Sequence, residues 1–106
     1  MRVRYDAAAR DELVEAVEWY ESERVGLGAA FHERVRAAER RIAEGPLTHA
    51  VVDDVRGVAI RRVLVDRFPY GLLFMSDDGA VWILAVMHLH RLPGYWRLRA
   101  ARLTRG

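Results

Sequence analysis

Arginine dominates the reactive chemistry of this sequence. All 17 basic side chains among the 106 residues are Arg, and Lys is absent. A guanidinium stays charged at any ordinary pH and meets phosphate or carboxylate through forked hydrogen bonds. The charges are unevenly spread. Residues 1–55 carry eight Arg against twelve Asp and Glu, a net of −4, whereas residues 56–106 carry nine Arg against Asp66, Asp77 and Asp78, a net of +6. Arg91, Arg97, Arg99, Arg102 and Arg105 fall in a stretch without a single acid, with Tyr95 and Trp96 among them. Such a composition suits bases stacked on aromatic rings, or an acidic groove on another protein. A GC-rich genome accounts for Arg in place of Lys but not for this segregation, so the second half is expected to meet an anionic partner.

Other side chains offer less. An imidazole can move protons near neutral pH, but His88 stands at the end of an apolar run with no carboxylate beside it, and reads as an anchor for the C-terminal segment. His49 and His90 lack the spacing of metal ligands, so neither a metal nor a cofactor is expected. The absence of Cys excludes disulfide scaffolds, thiolate chemistry and Cys-based zinc or iron–sulfur sites. No phosphate-cradling Gly loop, nucleophile elbow or paired-carboxylate site occurs, and the acids of the first helix read as a solvated face.

The elements that must position these groups follow from periodicity. Arg2-Val3-Arg4-Tyr5 alternates and predicts a short strand at a sheet edge. Asp6 can cap a helix starting at Ala7, whose apolar face is Leu13, Val17 and Tyr20. Trp19-Tyr20 is expected to pack helix on helix. Gly26-Leu27-Gly28 turns the chain into a second helix, about Ala29 to Glu44, with Phe31, Val35, Ala38 and Ile42 on one face and Gly45-Pro46 closing it. Strands follow at Val58–Val65, Tyr70–Ser76 and Ala80–His88, the last two joined by the tight turn Asp77-Asp78-Gly79. Tyr95 to Leu103 can form a short basic helix. The expected order is β-α-α-β-β-β plus a C-terminal helix or tail. This is an α+β fold, a helix hairpin packed on a small, mostly antiparallel sheet, in one domain over residues 1–106.

Two strands are apolar at nearly every position, although a sheet covered on one face alternates. Strict alternation puts Tyr70, Leu72, Phe74, Trp82, Leu84 and Val86 under the helices. It leaves Leu73, Met75, Ile83 and Met87, with Leu64 and Leu89, on a bare face that calls for a protein partner. The same face offers copies of the chain a surface for pairing. No apolar run approaches the ~18–20 residues of a membrane span, and the charged N-terminus has no signal-peptide core, so a cytoplasmic location is expected.

Glu12-Leu13, Trp19-Tyr20, Gly26-Leu27-Gly28 with Phe31, Pro46, Val55-Arg56, Phe68-Pro69-Tyr70 and Ala85-Val86-x-His88-x-x-Arg91-x-Pro93-x-x-Trp96 occur in that order. Together, from about Tyr5 to Arg99, they resemble the RelE/ParE toxin superfamily of bacterial type II toxin–antitoxin systems. The resemblance implies a helix hairpin on a small antiparallel sheet. It also implies a growth-inhibiting toxin of a plasmid-stabilisation module, held inactive in a hetero-oligomer by an antitoxin that wraps around it. Leu64, Leu73, Met75, Ile83, Met87 and Leu89 would then be the antitoxin-binding residues.

The superfamily has two modes of action. RelE-like members cut mRNA on the ribosome, and ParE-like members poison DNA gyrase. Metal-free RNA cleavage needs clustered cations and a titratable group. Arg62, His88, Arg91 and Tyr95 are the residues that could supply them here. Yet Gly71, Leu64 and Leu89 stand where the ribonuclease pattern has basic residues. That departure favours the ParE-like mode, with Arg91, Tyr95, Trp96, Arg97, Arg99 and Arg102 as target-binding residues. The ribonuclease, and a toxin-fold protein serving only in complex formation, remain the alternatives.

Overall fold

The computed structural model describes residues 2–104, so Arg105 lies outside the described residues. Chain order is β1 (Arg2–Tyr5), α1 (Ala7–Glu23), α2 (Leu27–Glu44), β2 (Val51–Val55), β3 (Val58–Leu64), β4 (Tyr70–Asp77), β5 (Ala80–His88) and α3 (Arg97–Leu103). The strands form one sheet in the order β1-β5-β4-β3-β2. Neighbours are antiparallel except β1, which lies parallel to β5 with Arg2 opposite Ala80 and Tyr5 opposite Ile83.

Local chemistry explains most boundaries. The Asp6 carboxylate accepts the Ala8 N–H at 3.1 Å and caps α1. Glu21 sits at the end of α1, where the helix dipole disfavours an acid. Its carboxylate instead accepts the N–H groups of Gly26 and Gly28 at 3.0–3.1 Å and serves the N-terminus of α2. Gly28 makes that approach possible, because a Cβ there would stand 2.6 Å from the Val17 carbonyl oxygen.

Sequence patterning gave no strand at Val51–Val55, because Asp53-Asp54 is a poor strand pair. The strand forms nevertheless, through a two-residue hairpin in which Arg56 (φ 54°) and Gly57 (φ 83°) both take left-handed conformations. The Asp54 carboxylate accepts the Gly57 N–H at 3.0 Å and supports that turn.

Both sheet faces are covered. The hairpin α1–α2 covers one, with an aromatic cluster of Tyr20, Phe31, Phe68 and Tyr70 at its centre; Tyr20 and Phe68 have ring centroids 4.9 Å apart. Trp19, expected in the helix interface, faces solvent instead at 56% exposure. The second face is closed by α3 and the segment leading to it: Trp96 and Ala100 pack on Val55, Ile60, Leu73, Met75, Leu84 and Ala85. The expectation of a bare face is therefore corrected. Leu73 and Met75 are fully covered by the chain's own C-terminal segment.

The division of β5 between faces is corrected too. Leu73 lies opposite Ala85 but Phe74 lies opposite Ile83, so Leu84 is an extra residue at a β-bulge. The bulge shifts the alternation. Val81, Ile83 and Val86 face the hairpin, while Trp82, Leu84 and Ala85 face α3. Ile83 is thus buried under the helices and lies on no partner-facing surface. Of the six residues assigned to the bare face, only Leu64 and Leu89 are exposed, with Met87 partly covered.

Candidate functional site

The C-terminal arginines converge on acids contributed by the first half of the chain. Glu12, on α1, points its carboxylate at β5 and receives four hydrogen bonds. Oε1 accepts the Val86 N–H at 3.1 Å and Arg99 Nη1 at 2.9 Å; Oε2 accepts Arg99 Nη2 at 3.2 Å and Arg91 Nη1 at 3.4 Å. Arg99 Nη1 also donates to the Leu84 carbonyl at 3.0 Å, the bulged residue of β5. Arg97 pairs with Asp53 on β2, and Arg102 lies 3.7 Å from Asp6. The charges are segregated along the sequence and joined in space.

Tyr95 completes the cluster. Arg91 stacks over its ring at 3.6 Å and Arg99 approaches at 5.1 Å. The Tyr95 hydroxyl is buried without a partner of hydrogen-bonding geometry. Burial, then the nearby Glu12 carboxylate, pushes its pKa well above the usual phenol value. Burial opposes the Arg99 charge, but the hydrogen bonds and charge of Glu12 outweigh it and hold that pKa above its ordinary value. At the exposed end, the hydrogen bond from Arg97 lowers the Asp53 pKa and raises that of Arg97.

These contacts sort the expected target-binding residues. Trp96 is 3% exposed against the sheet and offers no stacking platform, and the Arg99 side chain is 14% exposed and committed to Glu12. Tyr95 is held between arginines. Arg91 and Arg102 are each tied at one nitrogen and Arg97 at two, to Asp53 and to the Asp54 carbonyl, yet all three keep about half or more of the side chain in solvent. Arg102 shares a surface hollow with Arg56, Ala101 and Leu98, the last 79% exposed. The outer side of α3 is accordingly basic and apolar.

Of the residues that could serve RNA cleavage, His88, Arg91 and Tyr95 lie near one another, and Arg62 is set apart. His88 is opposite Tyr70 on the hairpin side, their rings 5.1 Å apart, and its Nδ1 accepts the His90 N–H at 3.1 Å. Arg62 is opposite Leu73 on the α3 side, its stem lying over Gly71, where a Cβ would come within 3.3 Å of it. The sheet separates the two. Arg91 is engaged with Glu12 and stacks on the Tyr95 ring. Among the described residues no group of His, Asp and Glu has a metal-binding arrangement, and no helix is long and apolar enough to cross a membrane.

The pairing of Glu12, Asp6 and Asp53 with the C-terminal arginines is what sequence patterning missed. As one acid among six on α1, Glu12 carries no local signal beyond its place in Glu12-Leu13.

A family model described as the ParE toxin of the type II toxin–antitoxin system parDE matches residues 3–93. Among solved structures, one titled "Chromosomal ParDE TA system from P. aeruginosa" superposes with a TM-score of 0.60 at 15% identity, covering 85% of this chain and 97% of that one. At that identity the likeness is one of fold. No curated protein matches the sequence.

Proposed function

The chain belongs to the ParE toxin family, and from that premise we propose that it inhibits DNA gyrase and is neutralised by a cognate antitoxin. The observation that carries the gyrase reading is the separation of Arg62 and His88 to opposite faces of the sheet. Ribonuclease chemistry has to bring several cations and a titratable group to one phosphate; His88 and Arg91 line one hollow, but Arg62 lies across the sheet and Arg91 is paired with Glu12, which leaves that hollow short of free cations. The outer side of α3 is the target-contacting surface in this reading. Leu98 and Arg102 present an apolar anchor and a cation free of the sheet, beside Arg56.

The antitoxin contacts the open end of the second sheet face. There Leu64 is 50% exposed opposite Gly71, over which the stem of Arg62 lies, with Met87 the next residue across the sheet. Leu73 and Met75 lie beyond its reach while α3 is seated. Induction of the wild type and of Leu98→Ser/Arg102→Glu tests both parts. The wild type is expected to arrest growth with gyrase-linked DNA breaks, and the variant to lose arrest while still co-purifying with the product of the adjacent small gene. Ribosome-dependent mRNA cuts with untouched gyrase would establish the RelE-like alternative instead.

A further inference from the structure

Four guanidiniums stand on the α3 side of the sheet with little or nothing to neutralise them. Arg2 and Arg4 alternate along β1 and sit opposite Ala80 and Trp82, so both point to the face that Trp82 shares with α3. The Arg4 guanidinium lies 5.7 Å from the centre of the Trp82 ring, which fixes its direction while leaving the residue exposed. Arg102 on α3 has its acidic contact, Asp6, at 3.7 Å and keeps 66% of its side chain in solvent. Arg56, in the β2–β3 turn, shares a hollow of about 340 Å³ with Arg102. Among the described residues Arg2, Arg4 and Arg56 are in no ion pair.

These four form a continuous band. Asp6 follows β1 directly, so its contact with Arg102 brings α3 beside Arg4, and Ala101 and Leu103 border the same apolar cluster as Trp82. The strand registers place the start of β1 and the β2–β3 turn at the same end of the sheet, one at each edge. Four strand spacings of ~4.8 Å separate the edges, about 20 Å in all. The hairpin side has no such band. There α1 exposes Asp11, Glu15 and Glu18, and the arginines of α2 are interleaved with Glu33, Glu39 and Glu44.

We infer that this band binds the sugar–phosphate backbone of duplex DNA without reading its sequence. Each guanidinium can meet a phosphate through two N–H groups. A duplex carries one charge per ~1.7 Å of its axis, so a band of about 20 Å spans several phosphates. An acidic protein segment is the other anion of comparable length. Its docking calls for an apolar core ringed by polar contacts, and among the four arginines the large apolar side chain in solvent is Leu98 alone. Asp77 and Asp78, in the β4–β5 turn, border the band at the end of the sheet and oppose a polyanion there. The inference goes beyond the gyrase reading and does not depend on it: it adds a contact to DNA that the chain makes by itself.

The test is the fluorescence anisotropy of a labelled, mixed-sequence duplex of about 20 base pairs, titrated with the isolated chain at a series of salt concentrations. Four phosphate contacts predict a slope of log K against log salt of about −3.6, equal for two unrelated sequences. Arg2→Gln/Arg4→Gln, at exposed positions of an edge strand, should bring the slope to about half and weaken binding about tenfold or more at low salt, with the thermal midpoint unchanged. Asp77→Asn/Asp78→Asn should tighten binding severalfold. Arg34→Gln/Arg36→Gln, on α2, should leave the slope as it is. Absence of binding at low salt, a slope untouched by Arg2→Gln/Arg4→Gln, or an equal loss from the α2 pair would each overturn the assignment. Displacement of the duplex by poly-glutamate at equal charge would also overturn it, and would identify an acidic protein as the partner. Failure here leaves growth arrest through gyrase standing, and failure of the gyrase reading leaves the salt slope standing.

Discussion

The two faces of the sheet are closed by different means. The hairpin side buries long apolar stripes from two helices of 17 and 18 residues, centred on four aromatic rings. The opposite side is closed by a helix of seven residues whose N-terminus has no side-chain cap. One large anchor, Trp96, and ion pairs to α1, β2 and the Asp6 turn hold it in place. Apolar burial on the first side is proportional to area and does not depend on charges that salt would screen. Closure of the second depends on carboxylates elsewhere in the chain. The comparison predicts a molecule in which the hairpin core unfolds globally and the C-terminal segment opens locally.

The largest expected effect probes the hairpin side. Phe31→Ala removes a fully buried ring in contact with Tyr20, Phe68 and Tyr70 and should cost about 3–5 kcal/mol of global stability in denaturant unfolding. Trp96→Ala removes comparable volume. Its signature should be local, with hydrogen exchange faster across 97–103 and unchanged in α2. Equal acceleration in both regions would break the contrast.

Glu12→Gln leaves Arg99 buried against a neutral amide and should cost about 2–4 kcal/mol, again read out first in the exchange of 97–103. Asp53→Asn removes an exposed pair, so only a slight fall in thermal midpoint is expected at low salt and less at high salt. The smallest effect concerns Glu39 on α2. Burial raises its pKa in the folded state above the unfolded value. Its protonated form therefore favours folding below the unfolded pKa, and that contribution is lost as pH rises through the folded pKa. Glu39→Gln should leave the thermal midpoint unchanged in acid and raise it slightly at neutral pH.

Much of this architecture is legible in the residues themselves. The Asp6 cap, both helices, the Asp78-Gly79 hairpin and the basic C-terminal helix each follow from signals within a few positions. What escapes a local reading is whatever depends on partners far along the chain. Asp53-Asp54 opposes strand formation until β3 folds back on it. The extra residue Leu84 is visible only against the register of β4, and one such residue transfers Trp82 and Leu84 across the sheet. Glu12 and Arg99 are 87 positions apart, and no periodicity connects them. The charge asymmetry was real in the sequence, but much of it is answered within the molecule itself.

The parallel register of β1 with β5 sets an order of events during synthesis. Arg2 emerges from the ribosome long before its neighbour Ala80. Strand β1 therefore waits with both edges open while the hairpin forms from nearby residues, since closing so long a loop comes late. Glu12 waits longer still, for Arg99. A nascent chain cut short before residue 80 lacks β5, the strand that joins β1 to β4, so the hairpin and the meander β2–β3–β4 exist before anything ties β1 to them.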